Sequence, residues 1–174
     1  MINEALTPKP NMTPAPHRAF YRAVSKQRWS VTQKRELSFW KQCDAFKARQ
    51  TFSNLYYLSR LKPVFADKPT NISILEIGSG PVCVSQHIEA EQYTYVDPLF
   101  DDYRRLYPGV LPEEAVYKTA MAEVVVLPES SFDAVICLNT LSDVHNPELV
   151  LNKARQVLKP DGVFVVSIDV WPSW

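Results

Sequence analysis

The chain has 174 residues, 46% of them hydrophobic, which suits one globular domain with a sizeable core and excludes a disordered chain. No apolar run approaches the roughly 18–20 residues of a bilayer-spanning helix and the N-terminus has no signal-peptide core, so a cytoplasmic protein is expected. The net charge of zero hides an asymmetry: residues 1–62 hold 12 Lys/Arg against 3 Asp/Glu, and residues 63–174 hold 7 against 16. Two such halves attract each other in the simplest reading; a basic face toward an anionic substrate, nucleic acid or membrane surface is the alternative. Cys43, Cys83 and Cys137 are widely spaced, odd in number and unlike any metal motif, which predicts reduced core thiols.

Residues 1–16 carry Pro8, Pro10, Pro14 and Pro16 among small polar residues and read as a flexible arm. Over 17–29, Phe20, Tyr21 and Val24 alternate with Arg18, Arg22, Lys26 and Arg28, predicting a short basic amphipathic helix. A longer helical stretch follows over 33–61, aromatic-rich and closed by Pro63. Residues 17–63 together form a helical cap, packed across a sheet edge or set as a lid over a pocket, with Trp40 and Tyr56 expected to pack structurally.

Residues 73–77 are a short apolar run, a buried parallel strand with the acid Glu76 one residue before its end. Gly78-Ser79-Gly80 follows, and Pro81 suits the first position of a helix over 82–89. A strand that turns through Gly-x-Gly lets backbone approach a ligand closely, because neither glycine carries a Cβ. Cys83 stands at the third glycine of the dinucleotide fingerprint, and no Gly-Lys-Ser/Thr follows, so neither that site nor a phosphate loop is specified. Residues 93–96 form the next strand, with Asp97 at its end, 21 positions after Glu76. One helix plus one strand brings both carboxylates to the same sheet edge, where an acid can accept hydrogen bonds from both ribose hydroxyls of a nucleoside.

Further on, 101–107 predicts a helix ended by Pro108-Gly109, and Val116-Tyr117 begins a short strand. Residues 134–138 are a fourth strand, Asn146 caps a helix with Pro147 at its first position, and Val150, Ala154, Val157 and Leu158 share one buried face. Lys159-Pro160-Asp161-Gly162 reads as a turn and 163–167 as a fifth strand. The alternation gives an α/β chain, a doubly wound, mostly parallel sheet of about five strands with an N-terminal helical extension.

Glu76-Ile77-Gly78-Ser79-Gly80 resembles motif I of the class I S-adenosylmethionine-dependent methyltransferases. Asp97 matches the family's motif II acid, 127–133 resembles its lead-in to the fourth strand, and Lys159-Pro160-Asp161-Gly162 resembles its Lys-Pro-Gly-Gly. The resemblance covers roughly residues 70–170 and implies a Rossmann-like domain over 64–174 with S-adenosyl-L-methionine as cofactor. It implies cofactor binding by Glu76, Gly78, Ser79, Gly80, Asp97, Pro98, Met121, Ala122 and Asn139. Met121 stands where the family often has an aspartate for the adenine amine. Either the backbone near Ala122 and apolar contact with Met121 hold adenine, or cofactor affinity is weakened. The strand-four loop or the lid would supply a general base, for which Asp143, His145 and His17 are the candidates; His145 equally reads as a solvated residue beside the Asn146 cap. Asn139-Thr140-Leu141-Ser142 departs from the Asn-Pro-Pro-Tyr of exocyclic-amine methyltransferases, which disfavours adenine-amine methylation.

The implied reaction is methyl transfer to a small-molecule or sugar- or lipid-linked acceptor. A catalytically silent binding subunit and an RNA methyltransferase using the basic N-terminal region are the alternatives. The family's fold ordinarily continues past the fifth strand, so strand five is expected to be an edge covered by the N-terminal helices, a second copy or a partner subunit. Trp171 and Trp174 hint at burial against such a surface.

Overall fold

The computed structural model describes residues 23–43 and 46–168. The expected arm at 1–16, His17 and the terminal tryptophans lie outside the described residues. Of the basic helix expected over 17–29, only Lys26 to Trp29 are helical among the described residues, as the first turn of α1 (Lys26–Lys41). Ser25 caps that helix by accepting from the Arg28 amide at 3.1 Å. The single stretch expected over 33–61 is two helices, α1 and α2 (Phe46–Phe65). Pro63 lies inside α2 rather than closing it: burial of Leu61 and Phe65 carries the final turn past the missing N–H.

Five strands follow: β1 (Ser73–Ile77), β2 (Gln92–Val96), β3 (Val116–Lys118), β4 (Phe132–Leu138) and β5 (Leu158–Ser167). They form one parallel sheet in the order β3-β2-β1-β4-β5, with α3 (Phe100–Leu106) and α4 (Pro147–Val157) between strands. The central strands are buried on both faces, which is why they read as continuous apolar runs. Ile74 and Ile136 join Trp40, Leu61, Phe100 and Tyr103 in one core, whereas Leu75, Val135 and Cys137 meet Val150, Ala154 and Val157 of α4 in the other. Asn146 caps α4, its side chain accepting from the amides of Glu148 and Leu149.

Three further expectations need correction. The helix expected over 82–89 is only a 3₁₀ turn, Val84–His87. Cys83 adopts the left-handed conformation (φ 48°), and the Glu76 carboxylate takes the amides of Val84 and Ser85 at 3.2 and 2.8 Å, so the chain is pinned to β1 instead of coiling. Residues 159–162 belong to β5 as an irregularity, not a separate turn: the register slips between the pairs Phe132–Leu158 and Ala134–Val163, and Lys159 Nζ holds both Asp133 oxygens at 2.8 Å. Tyr56 is 40% exposed, stacked on Phe52 and covered by the Arg60 guanidinium at 3.9 Å, outside the core. Among the described residues no strand pairs with the outer side of β5, where Val166 is exposed.

Candidate functional site

At one edge of the sheet β1 runs into Gly78, β2 into Asp97 and β4 into Asn139. Strand order reverses between β1 and β4, with β2 and β3 to one side and β5 to the other. Beyond the carboxyl ends of strands at such a reversal lies the crevice where open parallel sheets bind ligands.

Gly78 sits at φ 67°, its amide donating to the Val96 carbonyl at 2.7 Å. A Cβ there would lie 2.1 Å from Thr140 Cγ2, so the space behind the turn is full. Gly80 also has positive φ (56°), but a Cβ would meet only Trp40, at 3.7 Å. Gly80 therefore leaves its front open to approach. Asn139 adopts φ 49°, a conformation that asparagine tolerates better than most side chains, and its amide donates to the Ser167 carbonyl at 2.9 Å.

The two acids named from the sequence are tied into this turn. Asp97, 6% exposed, accepts from the Gly80 amide at 3.0 Å and the Leu99 amide at 2.8 Å. Burial raises its pKa to about 6 against the pull of those two amides. Glu76, 2% exposed, is pushed by burial to about 7, with hydrogen bonds from Ser85 and Val84 opposing and the Asp97 charge adding.

A cavity of about 340 Å³ opens over the strand tips. Glu76, Gly78, Ser79, Gly80 and Asp97 line it, as do Pro98, Met121, Ala122, Asn139 and Asp143. His145 is not among its lining residues; its Nδ1 is buried with no hydrogen-bond partner among the described residues, and its carbonyl accepts from the Val24 amide at 2.9 Å. Asp143 titrates above the usual carboxylate range because burial outweighs the Ser142 hydroxyl and Arg35.

The roof of the cavity is what sequence reasoning did not resolve. Trp29, Gln33, Glu36, Phe39 and Trp40 reach it from α1, and Arg49, Ser53 and Tyr57 from α2. Trp40 is 7% exposed, packs edge-on to Tyr103, and donates from Nε1 to Glu36 at 2.7 Å. The Tyr107 hydroxyl donates to the Trp40 carbonyl, and Gln33 Nε2 donates to the Asp143 carbonyl at 3.3 Å. Glu36 and Trp40 stand four apart on one helix face, a visible signal, but the spacing carries no information about what that face meets. Thr140 and Glu123 were also missed; Glu123 lines the cavity while accepting from the Asn146 amide at 2.9 Å.

The site is acidic. Glu36, Glu76, Asp97 and Asp143 all titrate above their ordinary values, in each case chiefly through burial. Such a wall suits a ligand bearing positive charge and hydroxyl donors.

The methyltransferase domain family matches residues 75–166, more than half of the chain. The chain belongs to the class I S-adenosylmethionine-dependent methyltransferases. Solved structures share its Rossmann-like fold. A Bacillus halodurans protein is 21% identical with a TM-score of 0.54, the match covering 63% of this chain and 49% of that one. An S-adenosylmethionine-dependent methyltransferase from Mesorhizobium loti is 22% identical, TM-score 0.51, covering 61% of this chain and 51% of that one. A chain from the complex of the Haloferax volcanii methyltransferase activator Trm112 is 15% identical, TM-score 0.53, covering 74% and 59% respectively. The chain spans about half the length of the first two, and at these identities the likeness is one of fold alone. Among curated proteins none matches it. Among the described residues, no helix is long and apolar enough to cross a membrane, and no cluster of three His, Cys, Asp or Glu could hold a metal.

Proposed function

We propose that this methyltransferase binds S-adenosylmethionine in the cavity over the strand tips and transfers its methyl group to a small-molecule or sugar- or lipid-linked acceptor. The observation that carries the reading is the join between Asp97 and the Gly80 amide at the cavity's edge, which sets a carboxylate beside an open glycine turn. The residues present fit the cofactor: Gly80 leaves room where a side chain would stand, and the acidic wall suits a sulfonium and an ammonium. Asp97 holds the ribose hydroxyls, Glu76 orients the turn through the amides of Val84 and Ser85, and the Gly78-Ser79-Gly80 backbone cradles the ligand. Pro98, Met121 and Ala122 flank the adenine, with apolar contact in place of a carboxylate, and Asn139 lies toward the methionine end.

The cofactor supplies a methyl group on a leaving group that is already activated, so positioning and exclusion of water are the protein's main tasks. Trp29, Phe39 and Trp40 line the roof and put apolar rings over the strand tips. Asp143, raised above the usual carboxylate range and facing the cavity, is the better-placed candidate base for a protonated acceptor; His145 would need the adjoining loop to turn it inward. A partner subunit or second copy would cover the outer side of β5. Calorimetric titration with S-adenosylmethionine and S-adenosylhomocysteine tests the reading: micromolar binding of both is expected, and binding of neither would overturn it.

One observation favours a second reading. Helices α1 and α2 carry nine Lys/Arg and a single acid, Glu36. RNA as the acceptor would use that surface, and its affinity would fall steeply with added salt. Turnover of a small acceptor that is indifferent to salt would exclude RNA.

A further inference from the structure

Helix α2 has two apolar faces. On one, Leu61 and Phe65 are buried in the core that Ile74 and Ile136 share. The other looks outward: Phe52 is 69% exposed and Leu55 68%, with Tyr56 beside them. These three stand at i, i+3 and i+4 and so form one ridge. At about 3.6 residues per turn, the exposed Ala48 and Pro63 continue it toward the two ends of the helix. By the same geometry Arg60 flanks the ridge on one side and Lys62 on the other. Arg60 is held there, its guanidinium 3.9 Å from the centroid of the Tyr56 ring and its Nη1 donating to the Tyr56 carbonyl at 2.7 Å. The helix carries Lys47, Arg49, Arg60 and Lys62 and no acid. Lys47, Arg60 and Lys62 make no ion pair among the described residues.

Apolar side chains left in water cost free energy, and a ridge of them rimmed by cations fits a surface that offers hydrocarbon beneath anionic groups. A bilayer containing anionic lipids is such a surface: rings and aliphatic side chains enter the headgroup boundary, while Arg and Lys stems carry their charges to the phosphates. Nucleic acid matches the cations but not the ridge. The Tyr56 ring is stacked on Phe52 and covered by Arg60, so its faces are occupied from within the chain, and Leu55 has no ring to offer a base. We propose that α2 docks this face on an anionic lipid surface, lying in its plane. Residues 63–174, with 7 Lys/Arg against 16 Asp/Glu, are repelled by that surface, which turns the basic helices toward it. Ser53 and Tyr57, between the two apolar faces of α2, line the cavity. A helix so placed sets one wall of the cavity at the lipid boundary. Among the acceptors considered above this favours a lipid-linked one, a corollary that rests on the cofactor reading, whereas the docking rests on α2 alone.

Co-sedimentation of the chain with two kinds of vesicle tests the docking, phosphatidylcholine alone and phosphatidylcholine mixed with phosphatidylglycerol. Binding to the mixed vesicles and not to the neutral ones is expected. Phe52, Leu55, Arg60 and Lys62 are exposed and none of them lines the cavity, so variants there should fold, with circular dichroism as the check. Phe52→Gln with Leu55→Gln should weaken binding to the mixed vesicles about 10- to 100-fold, and Arg60→Gln with Lys62→Gln about 10-fold. No binding of the unaltered chain to the mixed vesicles, or equal binding to both kinds, would overturn the proposal. So would a loss confined to the charge variant, which is the behaviour of a face that takes any polyanion, RNA included. If the unaltered chain ignores vesicles and the Phe52–Leu55 variant turns a dimer into a monomer by analytical ultracentrifugation, the face belongs to a second copy instead. Binding of S-adenosylhomocysteine is measured separately, so failure of the cofactor reading and failure of the docking remain distinct results.

Discussion

The Asp97 carboxylate accepts a hydrogen bond from the Gly80 amide across 17 residues of sequence, at 3.0 Å, so the tip of β2 fixes the turn that leaves β1. Asp97→Ala removes that acceptor and the partner of the Leu99 amide together. Stability should fall by about 1–3 kcal/mol and S-adenosylhomocysteine should bind about 10- to 100-fold more weakly. Urea titration and calorimetry measure the two effects separately; unchanged affinity would remove Asp97 from the site.

Gly78→Ala should cost about 2–4 kcal/mol, combining a left-handed backbone with a methyl driven into Thr140. Thr140→Ala in the same chain should recover the steric part and leave the backbone part. Gly80→Ala, whose Cβ would make only ordinary contact with Trp40, should cost about 1–2 kcal/mol. Equal costs at the two glycines, read from denaturation midpoints, would contradict the packing described here.

Stability should fall as pH rises from about 4 to about 7. Burial holds the Glu76 and Asp97 pKa values at about 7 and about 6, above ordinary values of 4.5 and 3.8, so the folded state binds the extra protons in that window. Their stabilising contribution is complete below the lower values and lost as pH passes the higher ones, about 3 kcal/mol for each group. Asp133 works the opposite way, since hydrogen bonds from Lys159 and Ser73 outweigh its burial and hold its carboxyl below the ordinary value, but it acts at more acidic pH. Glu76→Gln should flatten the slope between pH 5 and 7 in urea titrations at stepped pH; a slope identical to that of the unaltered chain would refute Glu76 as its source.

Trp40→Ala should destabilise by about 3–5 kcal/mol, because a buried indole and the donor to Glu36 are both lost. Trp40→Phe should cost less, keeping the contact with Tyr103 but not the hydrogen bond. A near-neutral Trp40→Ala by thermal denaturation would mean that the roof is not anchored there.

The sheet was legible because its signals are local. Ile74 to Ile77 and Ala134 to Leu138 are apolar runs of strand length, and Asn146-Pro147 marks the start of α4 wherever the helix goes. The strand-tip half of the cavity followed, since parallel strands must end their carboxyl tips on one side. What was not legible depends on contacts between distant residues. The sequence over 82–89 looks helical, and only the Glu76 carboxylate, together with the left-handed Cys83, keeps it to one 3₁₀ turn. Gln33 finds the Asp143 carbonyl and Trp40 finds Tyr103 by tertiary packing alone, so the roof cannot be read from the periodicity of α1.

The fastening of α1 has a kinetic consequence. The helix buries one side chain, Trp40, and its links to the loop after β4 are the Gln33–Asp143 bond and, from just before the helix, the Val24–His145 bond. Partners more than a hundred residues apart cannot meet until the sheet has brought β4 beside β1, so the enclosure forms after the sheet. Opening it again requires freeing one indole and a few hydrogen bonds, not melting the strands, and α1 amides should exchange with solvent well before those of β1 and β4. The rate at which α1 leaves the sheet is therefore set by how often Trp40 lets go.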